Sequence, residues 1–102
     1  MSYRVVITKR ALADLTAIRD YIAKRSPDNA AGFIAKILGQ FDLLEQTPES
    51  FSRAPEDESV PYTVHQVIVK PYRILYCVTS KQVQILHIRH GARLPAAPEE
   101  FD

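Results

Sequence analysis

The chain has 102 residues, 46% of them hydrophobic and 25% charged, with a formal net charge of +1. That profile belongs to one soluble globular domain and excludes a disordered tract. No window approaches the roughly 18 uninterrupted apolar residues of a membrane helix. The single cysteine, Cys77, excludes an internal disulfide framework and argues against a thiolate zinc site. Met1-Ser2-Tyr3-Arg4 has no apolar h-region, so no secretory signal is expected and the expected location is the reducing cytoplasm.

Tyr3–Ile7 is β-branched and predicts a short, largely buried strand ended by Thr8. Thr8 is an N-cap candidate for a helix over Lys9–Lys24, whose expected apolar stripe is Leu12, Leu15, Ile18 and Ile22. Ser26-Pro27-Asp28 predicts a second helix start. Ser26 caps, Pro27 loses no hydrogen bond at the first helical position, and Asp28 favours the positive helix end. That helix is expected to run to Gln46, stopped by Thr47-Pro48, with Phe33, Ile34, Ile37, Leu38, Phe41 and Leu44 as its stripe. So short a connection predicts an antiparallel helical hairpin.

Glu49–Pro61 is acidic and aperiodic and reads as a surface loop. Three strands are predicted after it: Thr63–Val69, Arg73–Thr79 and Val83–His90, turning at Lys70-Pro71 and Ser80-Lys81. A two-residue second turn sets Val78 against Val83, Tyr76 against Ile85 and Ile74 against His87. The order β-α-α-β-β-β predicts an α+β fold, a helical hairpin on one face of a small, curved, mostly antiparallel sheet. Residues 1–94 form the expected single domain and 95–102 a tail. Both faces of the last two strands carry Leu, Ile or Val, so either the sheet curls strongly or something external covers its second face.

Charge is segregated along the chain: net +4 over residues 1–25, −5 over 26–69, +5 over 70–94 and −3 over 95–102. Between Ser59 and Pro98 there is no Asp or Glu, and His65, His87 and His90 all lie there. A cationic surface of this kind favours an anionic partner. If the last two strands are neighbours, Arg73, Arg89, His90 and Arg93 gather at one end of the sheet. There guanidinium groups suit phosphate or carboxylate, and Tyr72 suits stacking on a base. The competing expectation is that Arg73 pairs with an acid of the 49–58 loop and Tyr76 is core. His90 has the proton affinity for acid–base work. Cleavage of RNA needs a base, an acid and cations around the phosphate, and His90 is the one obvious proton carrier beside Arg73 and Arg93. His87 and His90, three apart on a strand, point to opposite faces, so no metal is expected, and no cofactor.

Tyr3, Thr8-Lys9-Arg10-Ala11, Asp14-Leu15 and Ile18-x-x-Tyr21-Ile22-Ala23 resemble the opening of the RelE/ParE superfamily of type II toxin–antitoxin toxins. Ser26-Pro27 with Ala30 and Phe33, Leu44–Pro48, Tyr72-Arg73-Ile74-Leu75-Tyr76 and Val83-x-Ile85-Leu86-x-Ile88-x-His90-Gly91-Ala92-Arg93 continue the likeness over residues 3–93. The resemblance implies a cognate antitoxin covering apolar and basic surface, with Leu75, Leu86, Ile88, Arg73 and Arg93 as its contacts. It also implies one of two actions. RelE-like members are ribosome-dependent endoribonucleases that cleave mRNA, and for them Arg73, His90 and Arg93 would be the catalytic set. ParE-like members bind DNA gyrase, and for them Tyr72, Arg73, Arg89, His90 and Arg93 would meet the target. Val64–Val69 lacks the lysines such nucleases often present, and Leu94–Asp102 has neither Tyr nor His as proton donor. The expected reading is therefore a ParE-like toxin acting by binding, with the nuclease and a degenerate, non-toxic member as alternatives.

Overall fold

A computed structural model describes residues 2–91 together with Pro95. The elements are β1 (Arg4–Ile7), α1 (Lys9–Ala23), α2 (Pro27–Gln46), a 3-10 turn (Pro55–Ser59), β2 (His65–Val69), β3 (Tyr72–Val78) and β4 (Gln82–His90). The α+β expectation holds. The sheet order is β1-β4-β3-β2, with β1 parallel to β4 and the other pairs antiparallel. No helix among the described residues is long and apolar enough to cross a membrane.

Both helix starts follow from their caps. The Thr8 hydroxyl accepts the Ala11 N–H at 3.2 Å and the Ser26 hydroxyl accepts the Asn29 N–H at 3.2 Å, each satisfying a donor with no intrahelical partner. Helix α1 buries Ala11, Leu15 and Ile18, with Ile22 half-buried. Leu12, expected in that stripe, is 54% exposed, and its neighbour Ala11, fully buried, takes the place in the core instead. Helix α2 buries Ala30, Ile37, Phe41 and Leu44 and leaves Leu38 exposed. These faces meet Val67, Ile74, Tyr76, Val83, Ile85 and Ile88 of the sheet to form the main core.

Two expectations are corrected. Val78 does face Val83 and Tyr76 does face Ile85, but a register shift between Leu75 and Tyr76 sets Ile74 against Ile88 and Leu75 against His87. The extra residue, Leu86, moves Ile88 to the helix side, as a β-bulge does. The second face, moreover, is covered by the chain itself. Residues 52–64 fold back over it, held by Gln66 N–H to Ser52 O (3.0 Å) and Ala54 N–H to Val64 O (2.8 Å). Ala54, Val64, Leu75, Cys77 and Leu86 form a second small core there, with Val60 against it. The stretch expected to be an aperiodic surface loop thus contains a 3-10 turn and two buried residues, Ala54 and Glu56.

Candidate functional site

Strands β3 and β4 do bring the predicted residues together, with Tyr72 opposite His90 and Arg73 opposite Arg89. The alternation of β3 then divides them. Arg73 turns to the second face, beneath the folded-back segment, and is 8% exposed. Its Nη1 and Nη2 donate to Glu56 Oε1 at 3.0 Å and Oε2 at 2.8 Å, and Nη1 also reaches Gln66 Oε1 at 3.1 Å. Glu56 is 1% exposed, so this is a buried fork-on-fork ion pair with further hydrogen bonding, the geometry in which guanidinium and carboxylate are best matched. The turn that delivers Glu56 is itself pinned. Asp57 Oδ1 accepts the Val64 N–H at 2.7 Å, and the Ser59 hydroxyl donates to the Glu56 carbonyl at 2.9 Å.

Arg89 is also buried, at 5% exposure, with Nη1 3.4 Å from His87 Nε2. His87, 1% exposed, reaches Asp14 Oδ2 through Nδ1 at 2.5 Å. The same carboxylate oxygen accepts the Ile88 N–H at 3.0 Å, and Arg10 Nε donates to Asp14 Oδ1 at 3.2 Å. The position of Asp14 follows from strand lengths. Strand β1 pairs only Gln82–Ile85 of β4. Beyond that point the start of α1 takes over the open edge: Thr8 Oγ1 donates to Ile85 O at 2.7 Å, and Asp14 substitutes for the missing strand at Ile88. Burial works to raise the Asp14 pKa. The bonds from His87 and Ile88, with the charges of His87 and Arg10, outweigh it and hold the carboxyl below its ordinary value.

Tyr72 turns to the helix face, half-buried against Phe33, with exposed His90 beside it at 5.5 Å between ring centres. Tyr76 is core, as one of the two expectations had it. It is fully buried, its hydroxyl donates to Pro48 O at 2.5 Å, and burial pushes the phenol far up. Burial likewise pushes the Cys77 thiol up, which suits an inert core thiol.

Among the described residues, the two guanidinium groups expected at an open rim, Arg73 and Arg89, are therefore enclosed. Arg73 is tied to Glu56 and Arg89 lies against His87; Arg93 is outside the described residues, as is the predicted tail apart from Pro95. Leu75, Leu86 and Ile88, expected as partner contacts, are 0%, 6% and 2% exposed. Leu75 and Leu86 lie under the chain's own folded-back segment, and the bulge turns Ile88 under the helices. Of the described members of the expected set, Tyr72 and His90 reach the surface. Sequence reasoning missed Asp14, Gln66 and His87 as members of these networks. Glu56 was foreshadowed only as one of several acids in the 49–58 loop.

Residues 5–95 match the family model described as the ParE toxin of the type II toxin–antitoxin system parDE. The chain belongs to that family. Within the wider RelE/ParE superfamily, it is 44% identical over 92 residues to Toxin RelE2 of Caulobacter vibrioides, covering 89% of this chain and 98% of that protein. Among solved structures it resembles the chromosomal ParDE toxin–antitoxin system of P. aeruginosa, at 28% identity and TM-score 0.71, over 87% of this chain and 96% of that one. The archaeal RelE–RelB complex from Pyrococcus horikoshii, at 22% identity and TM-score 0.62, covers 92% of this chain and 100% of that one, and supports the fold alone. For this ParE-family toxin, the enclosure of Arg73 is the feature that bears most on mechanism.

Proposed function

We propose that the chain is a ParE-like toxin that arrests growth by binding DNA gyrase, with no bond-breaking step of its own, and that a cognate antitoxin neutralises it. The observation that carries this reading is the Arg73–Glu56 pair. A guanidinium that stabilises a pentacoordinate phosphate must be open to the phosphate and lack a competing carboxylate. Arg73 meets neither condition: it is buried, and Glu56 takes both of its fork donors. His90 remains at the surface beside Tyr72, and one imidazole supplies only half of an acid–base pair.

The antitoxin reading draws on the solved relatives, whose structures are described as toxin–antitoxin assemblies, and on the outer face of the helical hairpin. An open groove of about 460 Å³ runs between α1 and α2, floored by Ala23, Ala31, Ile34, Ala35 and Leu38 and edged by Arg19. Its small residues admit a close helix, and Leu38 is 46% exposed. An amphipathic antitoxin segment with an acid placed for Arg19 fits this groove. Covering it offsets the cost of exposed apolar surface on a domain that buries only ~65% of its unfolded area.

The name of the 44%-identical relative, Toxin RelE2, favours a second reading, a ribosome-dependent endoribonuclease. One experiment separates the two. The chain is produced without antitoxin, and gyrase supercoiling and mRNA cleavage on ribosomes are measured in parallel. Lost supercoiling with intact mRNA is expected; cut mRNA with normal supercoiling refutes the proposal.

A further inference from the structure

Helix α1 buries Ala11, Leu15 and Ile18 in the main core. The face turned away from that contact carries Lys9, Leu12, Ala13, Thr16, Ala17 and Asp20, which line an open, shallow hollow of about 490 Å³. All of them are exposed, Leu12 at 54%. A solvent-facing helix stripe is ordinarily polar or charged. Here its two central turns hold one large apolar side chain, two alanines and a threonine, and the charges stand at the two ends with opposite sign. Asp20 also accepts from Arg19 Nη2 at 3.1 Å, an exposed pair of little strength. None of the residues of this face lines the groove of Ala31, Ile34, Ala35 and Leu38.

We infer that this face docks on the same face of a second copy of the chain, the two α1 helices running antiparallel about a twofold axis that crosses between positions 14 and 15. The charge pattern is what selects a copy. About such an axis, each residue comes level with the one equally far from the axis in the opposite direction. Lys9 then comes level with Asp20 of the other copy, Leu12 with Ala17, and Ala13 with Thr16. At about 100° per residue, Lys9 and Asp20 both project straight at the other helix, so the end charges neutralise each other twice. Arg10 and Arg19, also level, fall on opposite flanks of the contact and do not meet. Each Leu12 lies level with an alanine, and Ala13 and Thr16 are small enough for the helices to approach closely. A partner of uniform charge would be attracted at one end of this face and repelled at the other. One helix from each copy buries less than the roughly 1,200 Å² of a stable interface, so the dimer is weak and reversible.

The test is sedimentation equilibrium of the full chain, freed of antitoxin, from low to high micromolar concentration. A reversible monomer–dimer equilibrium is expected, weakened by salt because its ion pairs are exposed. Lys9→Glu and Asp20→Lys should each weaken dimerisation about 10- to 30-fold, since either turns two exposed attractions into two repulsions. An equimolar mixture of these two variants should dimerise as well as the parent, because each supplies the charge that the other has lost. Ala13→Arg, at an exposed helical position where circular dichroism should show the fold intact, fills the contact and should abolish the dimer. A dimer indifferent to Ala13→Arg, or a mixture no better than its components, would overturn the inference. So would a parent that stays monomeric throughout; if Ala13→Arg then lost its antitoxin, the face would belong to the antitoxin instead. Gyrase takes no part in this measurement, so its outcome and that of the supercoiling assay are independent.

Discussion

Replacing Glu56 separates a structural arginine from a catalytic one. Glu56→Ala leaves the Arg73 guanidinium buried with only the Gln66 side-chain oxygen Oε1 at 3.1 Å to accept from it. Breaking a buried, hydrogen-bonded pair from one side costs about 3–5 kcal/mol, because the remaining charge is uncompensated. A domain of this size has about 5–15 kcal/mol in total, and near 100 residues each kcal/mol moves Tm by about 4–8 °C. The expected fall is therefore at least ~12 °C, and Arg73→Ala should fall similarly. Loss of toxicity in either single variant would then reflect unfolding and say nothing of catalysis. The informative variant is the double replacement Glu56→Leu with Arg73→Met, which removes both charges and keeps apolar volume in the buried space they share. Such exchanges are commonly neutral or stabilising. Urea unfolding followed by circular dichroism should place its stability within ~2 kcal/mol of the parent, above both single variants. On the binding reading it still arrests growth and still blocks supercoiling. A double variant that is folded but harmless would refute the assignment of Arg73 to structure.

Four further outcomes follow from the structure. Asp14→Ala removes the acceptor of the buried Ile88 N–H and of His87, so a loss of about 2–4 kcal/mol is expected, read from urea midpoints. Because the folded-state pKa of Asp14 is depressed, its contribution is fully present above the ordinary carboxylate range and is lost as pH falls through the lowered value. The midpoint of the parent should hold down to the ordinary carboxylate range and drop as pH falls below it, and Asp14→Asn should flatten that limb. Thr8→Val removes both the cap on Ala11 N–H and the bond to Ile85 O, for about 1–2 kcal/mol. Leu38→Asp, at an exposed position, should leave stability unchanged and abolish co-purification with the antitoxin; retained co-purification would place the antitoxin elsewhere.

Local rules carried most of the fold. Ser26-Pro27-Asp28 marked α2 because capping, proline and charge all act within one turn, and Thr8 marked α1 for the same reason. The face of α1 was misjudged at Leu12 because periodicity counts large residues, whereas the small Ala11 takes that place in the core. The bulge at Leu86 was invisible, since a one-residue insertion keeps the composition of β4 and changes only which face Ile88 takes. The fold-back of residues 52–64 was missed for a different reason. Its anchors, Asp57 to Val64 and Ser52 to Gln66, are specific polar contacts within a stretch that has no hydrophobic period. Without that segment, Leu75 and Leu86 read as surface awaiting a partner.

The candidate site shows why an arginine at a familiar place in a pattern does not fix its chemistry. The absence of acids from Ser59 to Pro98 suggested guanidinium groups open to an external anion. Charge balance in sequence, however, does not limit charge balance in space: Glu56 lies 17 residues before Arg73 and Asp14 lies 73 before His87, both outside the acid-free stretch. A desolvated guanidinium demands a carboxylate, and the small core of Ala54, Val64, Leu75, Cys77 and Leu86 excludes the water that would otherwise satisfy it. Closing the second face and neutralising Arg73 are therefore one event, since Glu56 is carried on the segment that covers Leu75. A partner that engaged Arg73 would have to lift that segment, exposing this core and breaking a paired, buried charge. A partner that leaves Arg73 enclosed avoids that cost, and the outer helical groove lined by Ala31, Ile34, Ala35 and Leu38 is such a surface: substitutions there should weaken antitoxin binding without touching the Arg73–Glu56 pair.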